Sequence, residues 1–314
     1  MMRGMRSLPR SIELGAAALI RAWSAPPGLV GRERDVVFDG EHGLAMDIYR
    51  PRPDDAPSPA VVLLHGGAFV RGDKRSTERI GETLARVGYV AFSVNYRLIP
   101  EGLTVTEGVD RYWEAVSDVE AAVSFIWARA DRFAIDVRRV GAFGISAGGT
   151  FAAMLGWRGV KGRRDRMPIR AVVSWSGALD MYEATRDPSL ATRAGAPAIP
   201  GREDGTLELH REALIAASPF TYLDDRSAPT LLVNAREDFV PLDTARTAAR
   251  RLEEAGVPAE LLVRRRGHAL AYAGRTILPS LRFLDQHVRD RAQHEAPSPA
   301  PPRAVERGSI GELG

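Results

Sequence analysis

The amino-acid sequence predicts an α/β domain whose doubly wound, mostly parallel sheet carries helices on both faces. Two observations predict it: short, continuous apolar runs of strand length, and segments of helical periodicity that alternate with them from Ala60 onward. Strands buried on both faces form unbroken apolar runs, and a helix between two of them makes the parallel crossover. The six runs are AVVLLHGG (60–67), YVAFSVNYR (89–97), RVGAFGIS (139–146), AVVSWSG (171–177), TLLVNARED (230–238) and AELLVRR (259–265).

Segments before and between these runs supply the other elements. LAMDIYRP (44–51) alternates apolar and polar residues, which predicts an antiparallel strand at the sheet edge. A helix over 76–87 should end at Gly88, because glycine is favoured just past a helix. Further helices are expected over 109–130, after Ser146, over 242–255 and over 275–291. The regular alternation indicates one domain rather than two.

Three segments do not fit this alternation of strands and helices. Residues 180–227 are short polar pieces punctuated by Gly and Pro between two predicted strands, so we expect an inserted cap on the domain formed by 31–291. Residues 1–30 are expected to complete this small cap. The stretch 292–314 is rich in Pro and poor in large apolar residues, which predicts a disordered tail.

The composition excludes several classes of function. The 314 residues are 45% hydrophobic and 26% charged, as in an ordinary globular protein. The net charge of +3 comes from scattered basic residues rather than a basic patch, so we expect no nucleic-acid partner. The absence of Cys rules out disulfides, thiolate metal sites and a thiol nucleophile.

The N-terminal segment decides the expected location. Its start is basic, but charged residues on both sides limit the uncharged run 14–20 to seven residues, which favours an amphipathic helix over a signal peptide. No other run approaches the roughly 20 apolar residues that span a bilayer. The sequence therefore predicts a cytoplasmic protein without a membrane span.

The strongest chemical signal is Gly144-Ile145-Ser146-Ala147-Gly148, which ends an apolar run and leads into a segment of small residues. A nucleophilic Ser on a sharp strand-to-helix turn needs glycine two residues to either side, because neighbouring backbones pass too close for a Cβ atom. The alternative is a glycine-rich turn that only packs a helix on a strand. The strand and helix context favours Ser146 as a nucleophile.

The second signal is His65-Gly66-Gly67-Ala68-Phe69, directly after a buried run. Backbone N–H groups stabilise an oxyanion where no side chain blocks the approach, so Gly66, Gly67 and the amide of Ala147 are the candidate donors. His65 itself is expected to hold its own loop rather than to transfer protons.

A Ser hydroxyl needs a His to remove its proton, and that His needs a carboxylate on its other nitrogen. Asp238 ends one predicted strand and His268 follows the next, in the chain order Ser, acid, His that such a site uses. Glu237 is the rival acid, but side chains alternate along a strand and Asp238 is nearer the loop.

The other histidines, His42, His210, His287 and His294, have no motif partners and are expected at the surface. The sequence contains no metal-ligand spacing and no phosphate-binding glycine loop, so we expect neither a metal nor another cofactor.

These motifs together resemble the hormone-sensitive-lipase-like esterases of the α/β-hydrolase superfamily, over about Ala60 to His287. HGGAF is similar to the family's HGGG(F/W) element, NYRLIPE (95–101) to its YRLAPE-like segment, and GISAGG to its GDSAGG turn. SDVEAAVSFIW (117–127), ASPFTYL (217–223), REDFVP (236–241) and GHAL (267–270) complete the resemblance.

The resemblance implies an α/β-hydrolase fold, a small cap, a small-molecule ester as substrate, and oxyanion donors at Gly66, Gly67 and Ala147. Two residues depart from the family pattern: Ala68 replaces the third glycine, and Ile145 replaces the Asp that usually precedes the nucleophile. Phe69, Trp175 and Phe239 flank the catalytic motifs and are candidate pocket residues, with core packing as the alternative for Trp175.

The expected function is a serine carboxylesterase that acts through an acyl-enzyme on a small to medium ester. An arylformamidase or another amidase or peptidase would use the same three residues, and the motifs do not separate these reactions. A non-catalytic small-molecule receptor of the same fold is a third interpretation, which the presence of His268 disfavours. The sequence leaves homo-oligomer formation open.

Overall fold

A single sheet of eight strands forms the centre of the computed structural model, which describes residues 30–51, 57–162, 168–186 and 206–289. The strands are β1 (Gly31–Asp39), β2 (Leu44–Arg50), β3 (Ser58–Leu64), β4 (Val90–Val94), β5 (Ile135–Ile145), β6 (Val172–Trp175), β7 (Thr230–Glu237) and β8 (Ala259–Arg266). They lie in the order β1-β2-β4-β3-β5-β6-β7-β8.

The six neighbouring strands β4, β3, β5, β6, β7 and β8 are parallel to one another. Strand β2 is antiparallel to β4, and β1 is antiparallel to β2. Each of the six apolar runs forms a parallel strand, as predicted. The edge assignment of 44–51 was wrong, because β1 pairs with the outer side of β2 and is itself the edge strand. The sequence GRERDVVFD of β1 has many charged residues and stays half-exposed, so no apolar run indicated it.

Helices surround the sheet and connect its parallel strands. They are α1 (Glu78–Arg86), α2 (Val105–Ala128), α3 (Ala130–Phe133), α4 (Ala147–Ala153), α5 (Met181–Arg186), α6 (Arg211–Ala216), α7 (Leu242–Glu254) and α8 (Ala273–Leu284). Single π-helical turns continue α4 over Met154–Arg158 and α8 over Asp285–Arg289.

Local sequence explains where these helices begin and end. Thr104 caps α2, because its side chain accepts a hydrogen bond from the N–H of Glu107 while the Glu107 carboxylate accepts one from the N–H of Thr104. At the end of α1, Gly88 adopts a φ of +91°, a left-handed conformation that suits glycine.

Alternation along β3 shows how the sheet separates two apolar layers. Val62 and Leu64 belong to one buried cluster together with residues of α2 and α4, whereas Val61 and Leu63 belong to a second cluster with residues of α1 and α8. Successive side chains of a strand point to opposite faces, so each parallel strand supplies both layers. Helices therefore cover both faces of the sheet, as the α/β prediction required.

The described parts of the 180–227 insertion are helical. They comprise α5, α6 and two short 3₁₀ turns at Thr206–His210 and Pro219–Tyr222. Met181 and Tyr222 pack against the cluster that contains α2 and α4. The predictions for 1–29, for the middle of the insertion at 187–205 and for 290–314 lie outside the described residues.

Among the helices in the part of the chain that the structure describes, none is long and apolar enough to cross a membrane.

Candidate active site

Ser146 occupies the sharp turn between β5 and α4. Its backbone has φ 54° and ψ −122°, a sterically unfavourable conformation for a residue with a side chain. The N–H of Ser146 donates a hydrogen bond of 2.7 Å to the carbonyl oxygen of Trp175 at the end of β6. The turn thus holds Ser146 at the carboxyl ends of the parallel strands, where open α/β sheets place their ligands.

Steric contacts explain both glycines that flank this serine by two positions. A Cβ atom on Gly144 would lie 1.9 Å from the carbonyl oxygen of Gly148. A Cβ atom on Gly148 would lie 2.0 Å from the carbonyl oxygen of Leu64 in the neighbouring strand β3. Since both clashes are with backbone atoms, no side chain can move to relieve them, and the G-x-S-x-G spacing follows.

His268 lies between Ser146 and Asp238. Its Nε2 atom is 2.8 Å from the Ser146 Oγ atom, and its Nδ1 atom is 2.8 Å from Oδ1 of Asp238. The residue follows β8 through Gly267, whose φ of +106° is a conformation that suits glycine. This arrangement can remove the hydroxyl proton at Nε2 while the carboxylate holds the other ring nitrogen.

The structure brings Asp238 into this site and leaves the rival acid outside. The Asp238 side chain is fully buried, whereas Glu237 is exposed. Oδ1 of Asp238 accepts a hydrogen bond from the N–H of Val240 (3.1 Å) in addition to its contact with His268. Oδ2 accepts one from the Ser176 hydroxyl (2.6 Å), so both carboxylate oxygens are fixed.

The glycine loop after β3 lies directly beside the serine turn. A Cβ atom on Gly66 would be 2.9 Å from the Ile145 carbonyl oxygen and 3.1 Å from the Ser146 Cβ atom. Gly67 has a φ of +135°, and a Cβ atom there would be 1.8 Å from the Arg71 carbonyl oxygen. Glycine is thus needed at both positions. Across the turn, Ala147 begins α4, and the first N–H groups of a helix have no intrahelical acceptor.

His65 is buried and contacts its own loop. Its Nδ1 atom is 2.9 Å from the Gly66 carbonyl oxygen, and its ring stacks on Tyr96 with centroids 4.2 Å apart. The Tyr96 hydroxyl donates a hydrogen bond of 2.7 Å to the His65 carbonyl oxygen. Burial lowers the pKa of His65, so the ring is neutral at neutral pH. These contacts match the expected role of holding the loop.

The three predicted pocket residues have different positions. The Phe239 ring lies 3.9 Å from the His268 ring, centroid to centroid, and the half-buried Phe69 makes edge contacts with Tyr112 and Phe151. The pocket prediction for Trp175 was wrong, because its side chain is fully buried in the core.

The Trp175 side chain is instead held by core contacts. Its ring packs on Phe143, and its indole N–H donates to the Ser280 hydroxyl (3.0 Å). Another sequence expectation was also wrong: His287 is buried against Phe283 rather than solvated. His294 lies outside the described residues.

Sequence reasoning missed Ser176, which follows β6 and contacts Asp238. A serine next to a glycine at a strand end is common in any α/β protein, so no motif identified it. Its φ of +52°, unusual for a residue with a side chain, becomes visible only in the structure.

The fold and the arrangement of these side chains define an α/β hydrolase. The family model BD-FAE matches residues 46–252, more than half of the chain, and the protein belongs to this family. It is 26% identical to esterase LipC of Mycobacterium tuberculosis over 279 residues, and 27% identical to an acetyl esterase of Salmonella paratyphi B over 187 residues. The matches confirm the resemblance to hormone-sensitive-lipase-like esterases.

The alignments cover different shares of each chain. The match with LipC spans 83% of this chain and 66% of that protein, and the match with the Salmonella acetyl esterase spans 52% and 55%. The chain therefore spans between half and two thirds of the length of these relatives.

Two solved structures show the same fold. Esterase 2 of Thermogutta terrifontis superposes with a TM-score of 0.62 at 20% identity, over 83% of this chain and 92% of the esterase. A truncated carbohydrate esterase from gut microbiota gives a TM-score of 0.63 at 20% identity, over 83% and 95%. At this identity the likeness concerns the fold.

Proposed function

We propose that this protein is a serine carboxylic ester hydrolase that uses Ser146, His268 and Asp238 and passes through an acyl-enzyme. The observation that carries the proposal is the continuous contact from the Ser146 hydroxyl through the His268 imidazole to the buried Asp238 carboxylate, with 2.8 Å at each step. The esterase names of its relatives support the same reaction class.

In the first half of the reaction, the Ser146 Oγ atom attacks the ester carbonyl carbon while Nε2 of His268 takes the hydroxyl proton. The carbonyl oxygen becomes an oxyanion, which the N–H groups of Gly67 and Ala147 stabilise, with Gly66 keeping the approach open. The bond from the carbonyl carbon to the alcohol oxygen then breaks, and His268 gives its proton to the departing alcohol.

In the second half, the same groups act on water. His268 removes a proton from a water molecule, whose oxygen attacks the acyl carbon and forms a second oxyanion. The bond to the Ser146 Oγ atom breaks, His268 returns the proton to the serine, and a carboxylic acid leaves. Asp238 stays ionised throughout and stabilises the imidazolium that forms in each half.

We also propose that Phe69 and Phe239 line the substrate pocket. Phe239 lies against the His268 ring, and Phe69 lies two residues after Gly67, one of the proposed oxyanion donors. Two aromatic surfaces near the reacting carbonyl suit an apolar acyl or alcohol group.

The domain division is part of the proposal as well: a hydrolase domain over 31–291 with a cap insertion over 180–227. Met181 and Tyr222 support it, because they connect the insertion to the cluster that contains α4, the helix after Ser146. The cytoplasmic location expected from the sequence stays a prediction, which fractionation of the source cells would test.

The test is hydrolysis of a ladder of 4-nitrophenyl esters, from acetate to laurate, by the wild type and by Ser146→Ala. We expect wild-type turnover on the shorter esters, and a loss of about 10⁶-fold in kcat in the variant. Mass spectrometry after reaction with a fluorophosphonate should place the adduct on Ser146. Turnover by Ser146→Ala at the wild-type rate would end the proposal.

A second measurement separates ester from amide hydrolysis. Matched aryl esters and aryl formamides are compared by kcat/KM with the same enzyme preparation. We expect the ester to be preferred; a higher value for the formamide would assign the protein to the arylformamidases instead.

A further inference from the structure

The end of β6 contacts all three segments that carry the proposed catalytic residues. The Trp175 carbonyl oxygen accepts a hydrogen bond from the N–H of Ser146. The next residue, Ser176, donates its hydroxyl to Asp238 and accepts a hydrogen bond from the N–H of Ala269, which directly follows His268. Two consecutive residues thus connect the nucleophile, the acid and the loop of the base.

Ser176 is held in place for these contacts. It is fully buried, and its N–H donates a hydrogen bond of 2.8 Å to the Val233 carbonyl oxygen in β7. Its Oγ atom is 2.6 Å from Oδ2 of Asp238 and 3.2 Å from the N–H nitrogen of Ala269. The Tyr272 hydroxyl contacts this Oγ atom as well as the Val233 carbonyl oxygen, and it has one proton to share between them.

The direction of the proton follows from the partners. The Asp238 carboxylate is acceptor-only when ionised, so the Ser176 hydroxyl proton points at Oδ2. The lone pairs of the Ser176 oxygen then face the Ala269 N–H and the Tyr272 hydroxyl. A hydrogen bond to an ionised group is stronger than one between neutral groups, so this contact fixes the carboxylate plane firmly.

We propose that Ser176 is a positioning residue for the hydrolytic reaction, which orients the Asp238 carboxylate toward His268 and couples it to the 3₁₀ turn that begins at Ala269. The inference rests on the proposed function. Ser176 does not touch the reacting atoms, and it acts through Asp238 and through the backbone beside His268.

Removal of the hydroxyl has two consequences. Oδ2 of the buried Asp238 and the N–H of Ala269 each lose their partner, so His268, the residue before Ala269, is held less precisely against Ser146. The carboxylate also keeps more of its negative charge, which stabilises the protonated imidazole. Because the protonated form is inactive as a base, the acid limb of the pH profile of kcat/KM should move to higher pH.

The experiment compares Ser176→Ala with Ser174→Ala in the full chain. Ser174 is a matched control, because it is a buried serine two residues earlier, within β6, whose Oγ atom has no hydrogen-bond partner among the residues that the structure describes. Two rates are followed as a function of pH: hydrolysis of 4-nitrophenyl acetate, and phosphonylation of Ser146 by a fluorophosphonate.

We expect Ser176→Ala to slow both reactions by up to about 10²-fold, the size of effect that a small misplacement of catalytic groups has. Its acid limb should shift to higher pH, while Ser174→Ala keeps the wild-type rates and profile. If Ser176→Ala does not fold, Ser176→Gly replaces it, since glycine suits the left-handed backbone at this position and equally lacks the hydroxyl.

Two outcomes would overturn the inference. One is a variant lacking the Ser176 hydroxyl with wild-type rates and an unmoved acid limb. The other is an equal loss in Ser174→Ala, which would indicate a packing effect. Phosphonylation of wild-type Ser146 without turnover of any ester would refute the proposed function alone, and the phosphonylation rates would still decide the role of Ser176.

Discussion

Two of the buried carboxylates that pair with a basic side chain, Asp47 and Asp238, can be compared directly, and only the Asp238 pair contacts a serine hydroxyl through its base. Asp47 in β2 pairs with Lys74, and their side chains are 1% and 3% exposed. Asp238 pairs with His268, and here the carboxylate is fully buried while the imidazole is 23% exposed. In both pairs the carboxylate is buried, so the pairs differ in the solvent exposure of the base.

The surroundings of Asp47 leave no group free to react. Its oxygens contact the Lys74 ammonium at 2.8 Å, the Arg34 guanidinium at 3.1 Å and the N–H of Asp35 at 2.9 Å. Lys74 also contacts the Asp35 carboxylate at 2.7 Å. His268, by contrast, presents its second ring nitrogen to a serine hydroxyl. Burial and pairing alone therefore do not identify a reactive site. The distinguishing feature is that His268 has a second ring nitrogen, Nε2, in contact with the Ser146 hydroxyl.

The largest expected effect that separates the two pairs is on turnover. Asp238→Asn keeps the size of the side chain but favours the wrong tautomer of His268, so kcat should fall about 10⁴-fold. Glu237→Gln, one residue away and exposed, is the control and should keep the wild-type kcat. Steady-state kinetics with 4-nitrophenyl acetate measures both, and a kcat for Asp238→Asn within tenfold of wild type would contradict the assignment.

The next effect is on stability rather than activity. Lys74→Met leaves the buried Asp47 carboxylate without its ammonium partner but with the Arg34 guanidinium and the Asp35 N–H still in contact. The unfolding free energy should therefore fall by less than the roughly 3–5 kcal/mol that a fully unpaired buried charge costs. The kcat of the folded fraction should stay at the wild-type value.

Urea denaturation followed by circular dichroism measures this loss. The matched control is Lys161→Met, which changes the other lysine of the sequence at an exposed position and should alter stability by less than about 0.5 kcal/mol. Equal stability of the two variants would show that the Lys74 pair contributes nothing.

The smallest expected effect concerns His65, a buried base whose Nδ1 atom contacts a backbone carbonyl oxygen rather than a carboxylate. Burial lowers its pKa in the folded protein, so below its ordinary value of 6.5 the unfolded chain binds a proton that the folded chain does not. Stability should therefore fall as the pH drops below about 6.5, and this part of the slope should be missing in His65→Gln. Urea midpoints measured across this range test it; parallel slopes for the two proteins would count against it.

The sequence predicts most of the sheet, because buried parallel strands leave unbroken apolar runs. It does not predict β1, whose charged residues stay half-exposed at the edge. Ser146 and the glycines at 144 and 148 are predictable since the steric limits of the turn act on the sequence directly.

Long-range contacts were harder to foresee. Trp175 directly precedes a residue of the site in the chain, but alternation along β6 sends its side chain into the core. Ser176 points the other way, and its partners Asp238 and Tyr272 are 62 and 96 residues distant in the chain. No local pattern encodes such a contact.

The pairing of β6 with its neighbours has a consequence for how the protein must fold. Trp175 lies opposite Ile145 on one side and Val233 on the other. A slip of β6 by one position would turn every side chain to the opposite face and shift the Trp175 carbonyl away from the Ser146 amide. A chain with that misaligned strand would retain nearly all of its secondary structure but would be inactive as a hydrolase. Hydrolytic activity is therefore a more sensitive measure of strand alignment than circular dichroism.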